Sequence, residues 1–374
     1  MQSFLQLVAH DLYAKIGNDL SRTALIFPNK RANLFFNEYL AGESDQPIWS
    51  PAAMSISDLF QKLSVQKSGD PIRLVCELYK VFKEETQSQE TLDDFYFWGE
   101  LLISDFDDVD KNMVDADKLF SNLQDLKNLM DDYEFLDKEQ EEAIQQFFQN
   151  FSIERRTELK EKFISLWDKL GTIYHHYREN LTELGIAYEG MLYRNVIEQL
   201  DTDQLKYDKY IFVGFNVLNK VENEFFRKLK DAGKALFYWD YDIFYTQQIR
   251  KHEAGEFLKR NLGEFPNELP ESFFDTFKEP KKIRYISAST ENAQARFLPE
   301  WIKMITDNHS QIAEEKEKEN AVVLCNEALL LPVLHSIPQE VKNVNITMGF
   351  PLAQTPIYSF INAAMELQTN GYRS

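Results

Sequence analysis

Cysteine is nearly missing from this sequence: Cys76 and Cys325 are the only two in 374 residues, far apart and each inside an apolar pattern. That excludes a disulfide framework and a clustered thiolate metal site, and makes a reducing cytoplasmic setting the expected location. Long hydrophobic runs are absent as well. Nothing approaches the roughly 20 apolar residues needed to span a bilayer, so no membrane partner is expected. The opening MQSFLQLVAHDLYAKIGNDL mixes acidic residues into an amphipathic pattern, which excludes a secretory signal. Fixed-period repeats and low-complexity tracts are lacking, and solenoids fall away with them. Also missing is GxxxxGK[ST], the loop whose backbone amides cradle ATP phosphates. The pair Gly233-Lys234 in DAGKAL lacks the upstream glycine and the hydroxyl residue and precedes a strand pattern, so it reads as the glycine ending a helix.

What is present is an ordinary globular composition, 44% hydrophobic and 27% charged, with a length that suggests two or three units. The formal net charge of -20 disfavours nucleic acid at first sight. Its distribution matters more than its sum. Between Glu84 and Glu142 stand 20 Asp or Glu against four Lys and no Arg, so one segment carries most of the excess. The remainder is close to neutral and has room for local basic patches.

Short apolar runs leading into helical patterns appear at both ends of the chain. Strands are expected at 23–27, 209–213, 235–239, 283–287 and 320–325, with a weaker one at 344–348. Helices follow several of them: NLFFNEYL, VENEFFRKLKDAG and ENAQARFLPEWIKMI. This is the signature of α/β units with a parallel sheet. Between about Pro71 and Leu200 the pattern is almost wholly helical, as in RLVCELYKVFKEE, ADKLFSNLQDLKNLMDDYEFL and ELKEKFISLWDKLGTIYHHYRENLTELG, and suggests an all-helical insertion. The stretch 263–282 gathers three of the twelve prolines and reads as a linker, and 306–319 as a charged, solvated connection. The pattern stops in a half-built αβ unit after TPIYSFINAAMEL. A longer protein, of which this is the front part, is therefore expected.

Several constellations invite chemistry. DFDDVD (Asp105 to Asp110) suggests a divalent metal, yet the EF-hand spacing fails because Val109 and Asp110 fall at the fifth and sixth positions. A structural or solvated acidic stretch is the better reading. Glu158-x-Lys160 and Glu279-x-Lys281 spell half of a nuclease site, but such groups must align on adjoining strands and neither pair sits in a strand pattern. His175-His176 lacks an i+4 partner for one shared metal-binding face. No GxSxG nucleophile motif occurs. No catalytic residue, metal ligand or cofactor is expected in this region.

Binding is what remains. In TALIFPNKRANLFFNEYL a helix expected to start at Asn29 would hold Lys30 and Arg31 in its first turn, where the backbone already presents partial positive charge. Two cations there suit an anion such as a backbone phosphate. Ser289 and Asn292, in SASTEN, form a weaker second candidate beside Lys281, Lys282 and Arg284, with helix capping as the plainer role. Phe237, Tyr238, Trp239 and Tyr241 could stack on bases, although the core is the usual place for aromatics on such a strand.

The order of five segments, IFPNKRANLFFNEYL, WGELLISDFDDVDKNMVDADKLF, YDKYIFVGFNVLNKVENEFFRKL, ISASTENAQARFLPEWI and NAVVLCNEALLLPVLHSIPQEVKNVNITMGFPLAQTPIYSFI, resembles AddB/RexB-type subunits of bacterial helicase-nuclease complexes. These look like superfamily 1 helicases. The resemblance implies a RecA-like (P-loop NTPase-like) first domain from 1–66 plus 205–262, a helical insertion at 67–204, the linker 263–282, and the start of a second RecA-like domain at 283–374. It also implies a role in DNA double-strand break repair, with DNA (a single strand or duplex end) and an AddA-like helicase subunit as partners. Two departures stand out: the chain begins at the helix that should follow the phosphate loop, and Gly214, Phe215 and Asn216 occupy the place of the magnesium-holding acids. An inactivated, non-catalytic scaffold is therefore expected. One alternative is a full-length exonuclease whose PD-(D/E)xK site lies beyond residue 374, and another is an acidic helical module that binds protein and not DNA.

Overall fold

The computed structural model describes residues 2–120, 158–247, 253–305 and 320–370, without the side chains of 158–168 and 305. The expected charged connection at 306–319, and the part of the helical pattern falling on 121–157, lie outside that description. The chain divides into two units, 1–279 and 280–374.

The first unit is built on a four-stranded parallel sheet, β1 (Thr23–Phe27), β2 (Ala52–Ser55), β5 (Lys209–Val213) and β6 (Ala235–Tyr238), in the order β2-β1-β5-β6. Ile26 stands opposite Met54 on one side and Phe212 on the other. All five residues of β1 are buried, as expected of a parallel strand covered on both faces. The strand period of two sorts its side chains. Leu25 and Phe27, with Ile211, Val213 and Tyr238, pack under α1 (Phe4–Ile16) and α2 (Ala32–Ala41). Ala24 and Ile26, with Tyr210, Phe212 and Phe237, face α3 (Ile56–Leu63) and α8 (Lys220–Asp231), whose Phe225, Phe226 and Leu229 are fully buried.

Between α3 and β5 in the sequence come α4 (Pro71–Thr86), α5 (Leu92–Lys111), α6 (Glu158–Glu183) and α7 (Glu189–Gln199). A two-stranded parallel pair, β3 (Lys67–Ser68) with β4 (Ile186–Ala187), was not expected from the sequence. These helices do not enclose a core of their own. Their buried residues continue the core on the α3 and α8 face of the sheet, through Phe60 stacked on Tyr193 at 4.1 Å and tilted against Phe225 at 5.1 Å.

The acidic stretch DFDDVD lies at the end of α5 and is a structural hub. Asp110 is completely buried, and its carboxylate accepts from the hydroxyls of Tyr174 and Tyr188, each at 2.5 Å, and from the guanidinium of Arg178, with Arg194 at 3.3 Å. Arg178 donates onward to Asn195, which reaches Gln66 beside β3. On the adjacent side of α5, Asp107 pairs with Lys111, which also meets Glu189 at 2.6 Å. Asp107 further accepts the Gly190 N–H. A Cβ at Gly190 would collide with the Asp107 carbonyl oxygen, so only glycine lets α7 start this close to α5.

The stretch 263–282, expected as a linker, contains the division between the two units after Glu279, and its first part is anchored by three buried residues. After α10 (Glu253–Glu264), Phe265, Leu269 and Phe274 are buried, Trp239 donates its indole N–H to the Phe265 carbonyl, and Glu268 donates its N–H to the Phe237 carbonyl. The carboxylate of Asp242, which precedes the short α9 (Ile243–Thr246), accepts the N–H groups of Phe244, Thr276 and Phe277. Proline and charge density gave the linker signal, and the buried Phe265 and Phe274 tie the first part of the stretch to Trp239 and Tyr241.

The second unit holds α11 (Glu291–Arg296), α12 (Leu298–Ile305), α13 (Leu330–Ser336) and α14 (Pro356–Asn370), with a small cluster of Ala295, Leu298 and Val333. The strands expected at 283–287, 320–325 and 344–348 carry no ladder. Ile283, Tyr285, Val323, Val344 and Ile346 are exposed there. β-Propensity alone does not make a strand, because each segment needs a neighbour for its backbone groups and a face to bury.

Replacing Asp110 by Ala leaves two arginines and two tyrosines turned toward an empty buried site. A loss of about 3–5 kcal/mol is expected in urea unfolding, against less than about 0.5 kcal/mol for Asp93→Ala on the solvent face of α5.

Candidate nucleic-acid interface

In an open parallel sheet, ligands bind outside the carboxyl ends of the strands, at the point where the winding reverses. Here β1 connects through α2 to β2 on one side, whereas β5 connects through α8 to β6 on the other. The switch point therefore lies between β1 and β5. Continuing their register sets Pro28 opposite Gly214.

The β1 side of this crevice is the turn Pro28-Asn29-Lys30-Arg31, every residue of it exposed. The helix expected to start at Asn29 starts instead at Ala32, with no side-chain cap. Asn29 spends its Oδ1 on the Arg31 N–H at 3.1 Å, a local turn that competes with helix initiation. Lys30 thus stands on the turn before the helix, and Arg31 is the residue at its N-cap, beside the positive end.

An anion already faces one of them. Lys30 Nζ lies 3.0 Å from Asp58 Oδ1. Asp58 is fixed by a reciprocal cap at the start of α3: the Ser55 hydroxyl and N–H donate to Oδ2 at 2.7 and 3.1 Å, and Ser55 Oγ accepts the Asp58 N–H at 3.2 Å. The Ser55 hydroxyl bond and, after it, Lys30 hold the Asp58 carboxyl below its ordinary value against the opposing effect of burial. Lys30 itself is 73% exposed. Ion pairs so open to water contribute about 1 kcal/mol at most, which leaves the cation available to a competing phosphate.

The β5 side is different in kind. Gly214 has φ +72 and donates its N–H to the Tyr238 carbonyl, closing β5 against β6. Phe215 is buried, and the Asn216 carbonyl accepts from Asn261. The first carboxylate after β5 is Glu222, which is committed to the Asn219 cap of α8 and raised by burial. No acid pair stands where a nucleotide-bound metal would be held. Among the described residues, no group of three or more His, Cys, Asp or Glu is arranged around a metal-sized site.

The other sequence candidates separate. Ser289 and Asn292 are exposed in the second unit, but the residue capping α11 is Thr290, which accepts the Ala293 N–H. Lys281, Lys282 and Arg284 are exposed nearby in the chain. Phe237, Tyr238 and Trp239 are buried, Tyr238 donating to Asp11, and Tyr241 stacks on Phe274, so this aromatic run is core and not a surface for bases. His175 and His176 turn to different partners, Asp117 and Glu85. Gly233, at φ +66, ends α8 with its N–H on the Lys230 carbonyl, as its sequence suggested. Neither Glu158-x-Lys160, on α6, nor Glu279-x-Lys281 lies on a strand.

Sequence reasoning overlooked Leu34 and Phe35, which are exposed on α2 directly after the cations. The signal was there: NLFF places more apolar residues in a row than one buried helix face can take. No described helix is long and apolar enough to cross a membrane.

No family model matches this chain, and no curated protein matches it either.

The depressed Asp58 pKa adds stability above its ordinary value of 3.8 that disappears as the pH falls through the lower folded value. Carboxyl NMR titration should show Ser55→Ala raising the Asp58 pKa more than Lys30→Ala does, because the short hydroxyl bond outweighs an exposed ion pair.

Proposed function

We propose that this chain is the helicase-like, non-catalytic part of an AddB/RexB-type subunit. In this reading the sheet of the first unit is a RecA-like domain, the helices between α3 and β5 are its insertion, and 283–374 begins a second RecA-like domain. The turn Asn29-Lys30-Arg31 holds DNA by its phosphates, while an AddA-like motor subunit hydrolyses ATP during double-strand break repair.

The observation that carries the reading is the switch-point crevice. Its β1 side offers two exposed cations on a fixed turn, with Phe35 exposed on the following helix as an aromatic face for a base. Its β5 side offers glycine, phenylalanine and asparagine where ATP chemistry requires carboxylates for magnesium. The absence of GxxxxGK[ST] from all 374 residues supports the same division of labour. A sheet edge that keeps its cations and lacks nucleotide chemistry suits a passive grip on a strand.

Fluorescence anisotropy with a labelled oligothymidine tests this. Affinity should fall steeply with salt for the unaltered protein, and Lys30→Ala/Arg31→Ala should weaken binding for every sequence tried. The double variant should also flatten the logarithmic salt slope by about 1.4, the value for two phosphate contacts on a single strand. Unchanged affinity and slope would remove the assignment of DNA binding to this turn.

A further inference from the structure

The ion pair at the sheet edge has two unequal halves. Asp58 is held in place at the start of α3: its Oδ2 takes the Ser55 hydroxyl at 2.7 Å and the Ser55 N–H at 3.1 Å, and its Oδ1 meets Lys30 Nζ at 3.0 Å. The carboxylate is 27% exposed and the lysine 73%. One partner is therefore a fixed anion, and the other a compact charge on a flexible four-carbon stem. Glu189, which accepts from the adjoining Ser57 at 3.3 Å, is committed to Lys111 at 2.6 Å and to the Tyr193 hydroxyl at 2.9 Å, so Asp58 is the carboxylate that meets Lys30. Lys30 can swing to another oxygen anion, but that anion must settle beside a negative charge that stays where it is.

We propose that Asp58 is a resident competitor of the nucleic-acid backbone, holding Lys30 against single phosphate groups and yielding it to a polyanionic strand. The inference rests on the reading of the Asn29-Lys30-Arg31 turn as a phosphate-binding element, and adds to it a means of regulating that element. A single phosphate that takes Lys30 from Asp58 exchanges one exposed ion pair for another and gains little. A strand differs in kind, because its closely spaced phosphates carry condensed counterions that are released when cations neutralise them. An exposed pair such as Lys30 with Asp58 lowers the affinity of a competing anion by about twofold to fivefold. That is decisive for one phosphate on one lysine and minor for a chain of them. Specificity is a difference of affinities, and a fixed like charge beside the binding cation rejects the weaker ligand. The reciprocal cap with Ser55 is what makes the rejection work, since a carboxylate free to turn to water would leave with the lysine's first new partner.

The test uses the full chain and labelled oligothymidine at low salt, with Asp58→Asn, Lys30→Ala, the two combined, and Asp93→Asn as an exposed carboxylate on α5. The amide oxygen of an asparagine at 58 can still accept from Ser55, so circular dichroism should stay unchanged. Asp58→Asn should bind oligothymidine about twofold to fivefold more tightly, Asp93→Asn should not, and the gain should vanish when Lys30→Ala is already present. Inorganic phosphate, set against sodium chloride of equal ionic strength, should displace the strand no better than chloride from the unaltered protein and better than chloride from Asp58→Asn. Unchanged affinity in Asp58→Asn, the same gain in the Lys30→Ala background, or phosphate that displaces the strand equally from both proteins would overturn the inference and leave the DNA reading of the turn standing. Oligothymidine binding that ignores both Lys30→Ala and Lys30→Ala/Arg31→Ala would remove that reading and this inference together.

Discussion

The first unit depends on one buried charge. Asp110 has no access to water, and an isolated carboxylate in that position would cost several kcal/mol, so the fold must bring it partners from elsewhere. It does so with Tyr174 and Arg178 one turn apart on α6, Tyr188 at the start of α7, and Arg194 further along α7. Helix α5 and the consecutive pair α6 and α7 are thereby fixed in register, because a shift of one residue in any of them would leave a buried charge unmatched. The partners carry the mark of this environment. Burial, followed by the Asp110 charge, pushes the Tyr174 and Tyr188 hydroxyls well above their usual range, so both remain donors at any physiological pH. Burial alone would lower the Arg178 pKa, yet Asp110 reverses the direction and keeps it charged.

That fixed helical layer is transmitted to the sheet by hydrophobic contact. Tyr193 on α7 stacks on Phe60 of α3, which touches Phe225 of α8, which meets Phe212 in the middle of β5. The crevice between β1 and β5 is therefore supported from below by a continuous aromatic column. Its own geometry is set by short-range devices: an Asn29 turn on one strand, a reciprocal Ser55 and Asp58 cap beside it, and a left-handed Gly214 on the other. Lys30 and Arg31 sit on that edge in a chain of net charge -20. Screening reconciles the two, since at physiological salt a charge beyond about 8 Å is largely damped and the local cations govern what approaches.

Elements whose signal is local were legible in the sequence. TALIF, KYIFV and ALFY are short, β-rich and bounded by turn residues, and they form the sheet; VENEFFRKLKDAG announced both its helix and the glycine that ends it. What failed depended on partners. β2, AAMS, is too short and alanine-rich to declare itself and is a strand because β1 lies beside it. The runs at 283–287, 320–325 and 344–348 have the composition of strands and find no ladder. Of the candidate site, the cations and Asn29 could be named from the sequence, but their placement before the helix could not, since it turns on one side-chain bond to the Arg31 N–H. The Lys30 to Asp58 pair joins residues 28 apart and has no pattern to reveal it.

The acidity of α5 shows why counting charges misleads. Of the four carboxylates in DFDDVD, two turn inward and are neutralised, Asp110 by arginines and tyrosines and Asp107 by Lys111 and the Gly190 N–H. Helical period turns the other two away from that hub, three residues apart, where burial first and the charge of Asp108 second push the Asp105 carboxyl above its ordinary range. The inner pair stabilises the chain as it stands. The outer pair works against it, by a few tenths of a kcal/mol for such neighbours, and removing it would cost the fold nothing.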